Sequence, residues 1–232
     1  METKKALNNL VDITETLKIL NLTSFLIDGT LLGYVRENDF ISHDTDTDLG
    51  VYMEEWTEEK LELAERLLNE KGFKKLHSFG IFGEHFEVAF SRDGIKTDLF
   101  FYYKHKELKE IDLQKENEKY KKVIKEYENR DKFYKEDFLK IETVYCIMSN
   151  KRRFNAFLNG GRTLPDDILT YEYESDLIDN LKEVEWKGFT FKIPKEPEKV
   201  LIAKYGENWK IPDINWRWDF SPKNLISEDK YL

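Results

Sequence analysis

Asp44, Asp46 and Asp48 alternate with threonines just ahead of the apolar run Leu49-Gly50-Val51. In a strand every second side chain points to the same side, so the three carboxylates are expected on one face of a sheet. Their Cβ atoms would stand about 6–7 Å apart along the strand, and each adjacent pair would repel by about 3 kcal/mol at an effective dielectric near 20. A protein rarely builds that on a strand buried on one side unless a cation cancels it. Mg2+, which takes one or two carboxylates together with substrate phosphates, suits that position.

The residues just before the acids add to the constraint. Phe25-Leu26-Ile27 has the character of a short strand, Asp28-Gly29-Thr30 that of a turn, and Thr30 to Arg36 that of a short helix. Asp28-Gly29-Thr30-Leu31 also echoes the phosphatase loop Asp-x-Asp-Gly-Thr, whose first Asp is the nucleophile. Leu26 stands at that position here and cannot attack phosphorus, so that chemistry is set aside.

Acidic residues outnumber basic ones, 46 to 37, for a net charge of −9. This disfavours a general nucleic-acid surface, which needs a basic face, and a polybasic membrane anchor. A phosphate-bearing ligand must then be held by a metal or a local cationic cluster. The single cysteine, Cys146, lies among Val144, Tyr145, Ile147 and Met148. It excludes a disulfide framework or a zinc cluster and reads as a buried, inert thiol. The first residues lead into an amphipathic pattern rather than a signal peptide or a membrane span. The expectation is a cytoplasmic chain, with peripheral docking the only route to a membrane.

Along the chain, Ala6, Leu10, Ile13, Leu17 and Leu20 mark one face of a helix over residues 4–21, ended by Asn21. A second helix starts at Thr57-Glu58-Glu59, a hydroxyl cap followed by acids, and stops at Gly72. Strands are expected over 73–79, 84–92 and 95–103, the last two joined by a hairpin turn at Asp93-Gly94. Asp98 lies inside the last of these, between Thr97 and Leu99-Phe100-Phe101. An acid in so apolar a run is costly unless it is paired, metal-bound or at an edge facing water. Neighbouring strands lie about 4.8 Å apart, so Asp98 could converge with Asp46 and Asp48.

Residues 104–140 carry charges of both signs and a thin apolar seam, which predicts one or two solvated helices. Residues 141–149 suit a buried strand or short helix. Lys151-Arg152-Arg153, followed by Gly160-Gly161-Arg162, could grip a diphosphate, although a surface charge run explains it as simply. Residues 182–193 read as a hairpin turning at Lys187-Gly188, and Pro197 opens a helix that ends at Tyr205-Gly206. An aromatic tail with Trp216, Trp218 and Phe220 follows. One domain over 1–232 is expected, with a core over 1–103, a helical insertion or lid over 104–181, and a hairpin, helix and tail over 182–232.

The stretch from Gly29 resembles the signature of the LicD and fukutin-related family: Gly-Thr-Leu-Leu-Gly-x-x-Arg, a spacer, then Phe-Ile-Pro-Trp-Asp-Asp-Asp-Ile-Asp. Gly29, Thr30, Leu31, Leu32, Gly33, Arg36, Phe40, Ile41, Asp44, Asp46 and Asp48 match. Ser42, His43, Thr45 and Thr47 depart from it. The Asp-x-Asp pair survives, and the change at Ser42-His43 bears on the donor or acceptor pocket. A second echo runs through Phe191-x-Ile193-Pro194 and Tyr205-Gly206 to Trp209.

The resemblance implies an α/β (α+β) nucleotidyltransferase-like fold, a mixed sheet flanked by helices, with a C-terminal hairpin-helix cap. It implies a Mg2+- or Mn2+-dependent transferase that moves a phosphorylated alcohol, such as phosphocholine or glycerol or ribitol phosphate, from a CDP-linked donor to a glycan hydroxyl. Asp46 and Asp48 would bind metal. Asp98 would complete that site or take the acceptor's proton, and Asp44 would buttress it. Gly29, Thr30 and Arg36 would bind the donor, with Arg152 and Arg153 as further candidates. A true nucleotidyltransferase releasing pyrophosphate and a non-catalytic nucleotide-binding module are the alternatives.

Overall fold

In the computed structural model of the protein, the residues described are 2–83, 85–104, 108–112, 143–147, 151–157, 168–213, 215–217, 219 and 221–226. They form α1 (Thr3–Ile19), β1 (Ser24–Leu26), α2 (Asp28–Glu37), β2 (Asp46–Tyr52), α3 (Glu58–Glu70), β3 (Lys74–Ile81), β4 (His85–Arg92) and β5 (Ile95–Lys104). After these come β6 (Leu108–Asp112), β7 (Thr143–Ile147), β8 (Lys151–Phe157), β9 (Ile168–Glu174) and α4 (Ser175–Asp179). β10 (Leu181–Trp186), β11 (Phe189–Pro194), α5 (Pro197–Tyr205) and β12 (Leu225–Ile226) complete the chain.

The chain divides into two compact units, Met1–Tyr103 with Lys151–Leu232, and Lys104–Asn150. In the first, a mixed eight-stranded sheet runs β1-β2-β5-β8-β9-β12, with β4 pairing β5 and β3 pairing β4. β2 and β5 are parallel, while β1 with β2, β4 with β5 and β8 with β9 are antiparallel. Helices flank this sheet, which is the α/β arrangement expected.

The local signals explain the elements. α1 buries Ala6, Leu10, Ile13 and Leu17 at helical spacing, and the chain leaves it through Asn21 at a φ of 54°. Thr57 caps α3 by accepting from the Lys60 amide at 3.3 Å. Asp93 and Gly94, both at positive φ, turn β4 into β5, and Lys187-Gly188 does the same between β10 and β11. Alternation then sorts the two faces of the sheet. Leu49, Val51, Leu99 and Phe101, with Val88 and Phe90 of β4, join the core with α1. The opposite face carries the acids.

The segment expected to be a helical insertion over 104–181 differs. Among its described residues, β6 and β7 pair as an antiparallel two-stranded sheet, and β8 and β9 belong to the main sheet. The one described helix there is the five-residue α4. The β-branched and aromatic residues of Thr143–Ile147 supply a pairing partner, and ladder formation overrides the weak helical pattern of 108–112. The Cys146 side chain, residues 113–142, Gly160-Gly161-Arg162, Trp218 and Phe220 lie outside the described residues.

Candidate active site

β2 begins at Asp46, so Asp44 precedes the strand rather than sharing it. Asp46 and Asp48 remain two apart on one face. The parallel ladder sets Asp48 opposite Asp98 and Asp46 opposite Lys96. Residues directly paired across a ladder project from the same face, so Asp46, Asp48, Lys96 and Asp98 make one patch. On the reverse face, Thr47 and Thr97 meet through their hydroxyls at 2.8 Å, fully buried.

α2 fixes the geometry of this patch. The Thr30 amide donates to Asp48 Oδ2 at 3.1 Å, and the Asp48 amide donates to Thr30 Oγ1 at 2.8 Å. This reciprocal pair pins the helix start to the strand. It ties the amide of the buried Thr30 to the Asp48 carboxylate, so Thr30 positions that carboxylate, while its hydroxyl accepts from the Asp48 amide and keeps its own proton to donate.

Gly29 is required by close approach. A Cβ there would lie 2.8 Å from Asp44 Oδ2 and 3.1 Å from Asp48 Oδ2. The missing side chain is what lets Asp44 and Asp48 come together over the turn. Gly33 serves the same purpose further along α2, where a Cβ would meet the Asp39 carbonyl at 2.5 Å.

The electrostatics follow from this crowding. Asp48 is held well above the usual carboxylate range by burial, then by the charges of Asp28, Asp46 and Asp98, with Lys204 opposing. Burial also pushes Asp98 up to about 6, against the pull of Lys96 and with Glu87 and Asp46 adding to the rise. Asp44 is raised by burial and then by Asp46. Lys96 lies between two strands' acids, 2.8 Å from Asp98 Oδ2 and 3.2 Å from Asp46 Oδ2. Burial alone would lower its pKa; Asp98 and Asp46 outweigh it and raise it.

Among the described residues, the ion pairs to these acids come from Lys96 and from Lys204, which meets Asp28 at 2.5 Å. Asp98 is 3% exposed, and its Oδ1 is buried without a hydrogen-bond partner. An excess of clustered carboxylates with an unanswered oxygen fits a divalent cation by charge and by ligand type.

The arginines separate. Arg36 sits beside the patch, close enough to lower the Asp44 pKa, with Nη2 on Glu37 Oε1 at 2.7 Å. Arg152 does not reach a ligand-facing surface. It is 4% exposed, pairs with Glu54 at 2.6 Å and with Asp179, and lies 4.5 Å over the Tyr52 ring. Arg153 pairs with Glu172 at 2.8 Å. Both arginines, expected ahead of a Gly-Gly turn, lie within β8; the cross-strand neighbour Glu172 pairs with Arg153, while Arg152 is held from outside the ladder by Glu54 and Asp179.

Four polar residues at or beside the patch are not evident from the sequence: Asp28, Lys96, Lys204 and Glu87. Of these, Lys96 carries a usable signal, since it stands two before Asp98 and must share its face. Lys204 is separated from Asp28 by most of the chain, and only the packing of α5 on α2 brings it there. Asp28, at a φ of 49°, is one of the few residue types that tolerate that backbone.

Comparison with known proteins places the chain in a family. Residues 21–144 match the family LicD/FKTN/FKRP, nucleotidyltransferase domain, and the chain belongs to that family. The ribitol-5-phosphate transferase FKTN of Macaca fascicularis is 24% identical over 227 residues, 97% of this chain and 38% of that protein. The Mus musculus protein of the same name is 25% identical over 223 residues, 96% and 37% respectively. An uncharacterized Caenorhabditis elegans protein is 25% identical over 227 residues, 96% of this chain and 47% of that one. The chain therefore spans less than half the length of these curated relatives. Among solved structures, the antibiotic-resistance factor ANT(2'')-Ia shares 14% identity over 44% of this chain and 49% of its own, with a TM-score of 0.34. Among the described residues, no helix is long and apolar enough to cross a membrane.

Proposed function

We propose that the chain is a Mg2+-dependent transferase that moves a phosphorylated alcohol from a CDP-linked donor to a sugar hydroxyl of a glycan. The observation that carries this reading is the parallel register of Asp48 with Asp98, with Asp46 on the same face. Family membership and the ribitol-5-phosphate transferases among the relatives support the substrate class.

Asp46 and Asp48 would hold the cation, with Asp98 beside them as a third ligand or as the group that takes the hydroxyl proton. When bound, the cation supplies charge neutralisation on the donor diphosphate and on the departing CMP. The chain's own residues do the rest. Thr30 fixes the Asp48 carboxylate, and Gly29 keeps space for it beside Asp44. Arg36 stands at the rim, where it would offset donor charge. In the transfer, the acceptor oxygen bonds to the phosphorus that bears the alcohol. The bond from that phosphorus to the bridging oxygen breaks, and CMP leaves with the electron pair. The hydroxyl proton is lost to a base of the site or to water.

The test is a thermal-shift panel of CDP-ribitol, CDP-glycerol, CDP-choline and nucleoside triphosphates with and without Mg2+, followed by product analysis. A ligand that binds only the native state raises its melting point. Metal-dependent stabilisation by a CDP-alcohol, with CMP released on turnover, is the expected result. Pyrophosphate release would mark a true nucleotidyltransferase instead. Absence of any metal-dependent nucleotide effect would mark a non-catalytic module.

A further inference from the structure

The acidic patch does not end at Asp98. Continuing across the sheet, Asp98 pairs with Ala89 of β4, and Ala89 pairs with His77 of β3. These residues share the carboxylate face, and so does Glu87, two residues from Ala89 along β4. Ala89 has only a methyl group, so it leaves room between the side chains on either side of it. Into that room project His77, Glu87 and Asp98, each with a ligand atom within 4.8 Å of the others. His77 Nε2 and Glu87 Oε1 are 3.3 Å apart. His77 is braced by stacking on Phe79, 4.2 Å between centroids and 8° between planes.

We propose that His77, Glu87 and Asp98 form a second divalent-cation site, distinct from the Asp46–Asp48 position and joined to it through the Asp98 carboxylate. The two oxygens of Asp98 divide accordingly. Oδ2 is answered by Lys96, on the side of Asp46. Oδ1 is buried and accepts no hydrogen bond. An unanswered carboxylate oxygen in a residue 3% exposed is costly, and a cation held with His77 and Glu87 removes that cost.

The donor set states which ions fit. One imidazole nitrogen and two carboxylates suit Mn2+, Zn2+ or Fe2+ better than Mg2+, which favours oxygen ligands and retains water. Cation–ligand distances of about 2.0–2.2 Å require the three side chains to draw together slightly, which rotation about their terminal torsions allows. Three protein ligands leave open positions, the arrangement of a reactive rather than a purely structural site. The catalytic role of the site rests on the transfer proposed above: an acceptor hydroxyl taking an open position would lose its proton to water more readily. Asp98 would then act as a shared ligand and not as the base.

The experiment uses the full chain, stripped with EDTA and titrated with Mn2+. Electron paramagnetic resonance counts bound ions, and pulsed measurements detect coupling to a directly bound nitrogen. The expected result is two ions per chain, one of them nitrogen-coupled. His77→Gln should abolish the nitrogen coupling and weaken that ion by at least about tenfold, leaving the other bound. Glu87→Gln should weaken the same ion, and circular dichroism with melting curves should show both variants folded. Asp46→Asn should remove the uncoupled ion and keep the coupled one. No nitrogen coupling in the unsubstituted protein, or coupling that survives His77→Gln, overturns the site. Because Asp46→Asn and the CDP-alcohol panel read the first position alone, failure of the second site is distinguishable from failure of the transferase reading.

Discussion

Among the described residues, two charged clusters, each with a buried member in Arg152 or Asp98, are built to opposite plans. Around Arg152, one guanidinium meets Glu54 and Asp179, reaches toward the Tyr102 carbonyl at 3.4 Å and lies over the Tyr52 ring. Its donors are answered, and the acids raise its pKa against the effect of burial. Around Asp48, several carboxylates converge, Asp48 and Asp98 are pushed toward their protonated forms, and Asp98 Oδ1 is left without a partner. The first cluster is complete within the fold. The second is electrostatically incomplete, as the proposed cation site requires and a structural ion pair does not.

If that contrast is right, removing a charge should have opposite consequences in the two places. The largest effect is expected for Asp48→Asn or Asp46→Asn. Transfer should fall by about a thousandfold or more, equivalent to about 4 kcal/mol of lost transition-state stabilisation. The fold should persist or gain stability, since like-charge repulsion is relieved. Near-normal turnover in either variant would break the mechanism. Arg152→Met should do the reverse. It takes the guanidinium away from Glu54 and Asp179, and urea unfolding should register a loss of about 3 kcal/mol, toward the lower end for a buried pair because both acids are partly solvated. Turnover per folded molecule should be unchanged. A specific loss of donor affinity in that variant would restore Arg152 to the binding site.

The same contrast shows what can be read from the residues alone. The strand order of the carboxylates is legible because alternation dictates faces, and because an acid among Leu99, Phe100 and Phe101 must be explained. The hairpin turns and helix caps are legible because Asp93-Gly94, Lys187-Gly188, Thr57 and Asn21 carry local backbone chemistry. The place of Arg152 is not, because a basic triplet looks the same whether it lies in a loop or in a strand. Its burial depends on Glu54 and Asp179, which stand 98 and 27 residues away along the chain. The region from 104 misleads for a related reason: a mixed-charge segment has helical propensity, and a pairing partner more than thirty residues on decides otherwise. Lys204 and the His77–Glu87 pair depend in the same way on which strands and helices become neighbours.

A third test sharpens the comparison through pH, in metal-free protein kept in EDTA. A carboxyl whose pKa is raised on folding binds protons more readily in the native state than in the unfolded one. Stability therefore falls as pH rises between the two values. For Asp98 the window runs from the ordinary carboxyl value of 3.8 to about 6. The cost is absent below it and fully present above it. Asp98→Asn removes the cost, so the variant should exceed the unsubstituted protein by about 2 kcal/mol at pH 7.5, a figure reduced from the full shift because Lys96 loses a partner. The difference should vanish near pH 4. Equal stability at both pH values would mean that the Asp98 carboxylate is already compensated in the fold.

The smallest effect is expected at the rim, where Arg36 belongs to neither plan. Its side chain is only 12% exposed, yet the ion pair it makes is with its chain neighbour Glu37, and its charge is felt at Asp44. An arginine held this way costs little to remove, and its charge still reaches the acids at Asp44. Arg36→Gln should leave the melting point nearly unchanged and raise the KM for a CDP-linked donor several-fold, about 1 kcal/mol of binding, with kcat little altered. The effect should shrink at high salt, since a charge contact near the surface is screened. A large drop in kcat with KM preserved would place the guanidinium at the departing CMP rather than at the entrance to the site. The division between an incomplete centre and a balanced periphery would then need to be drawn one helical turn further out along α2.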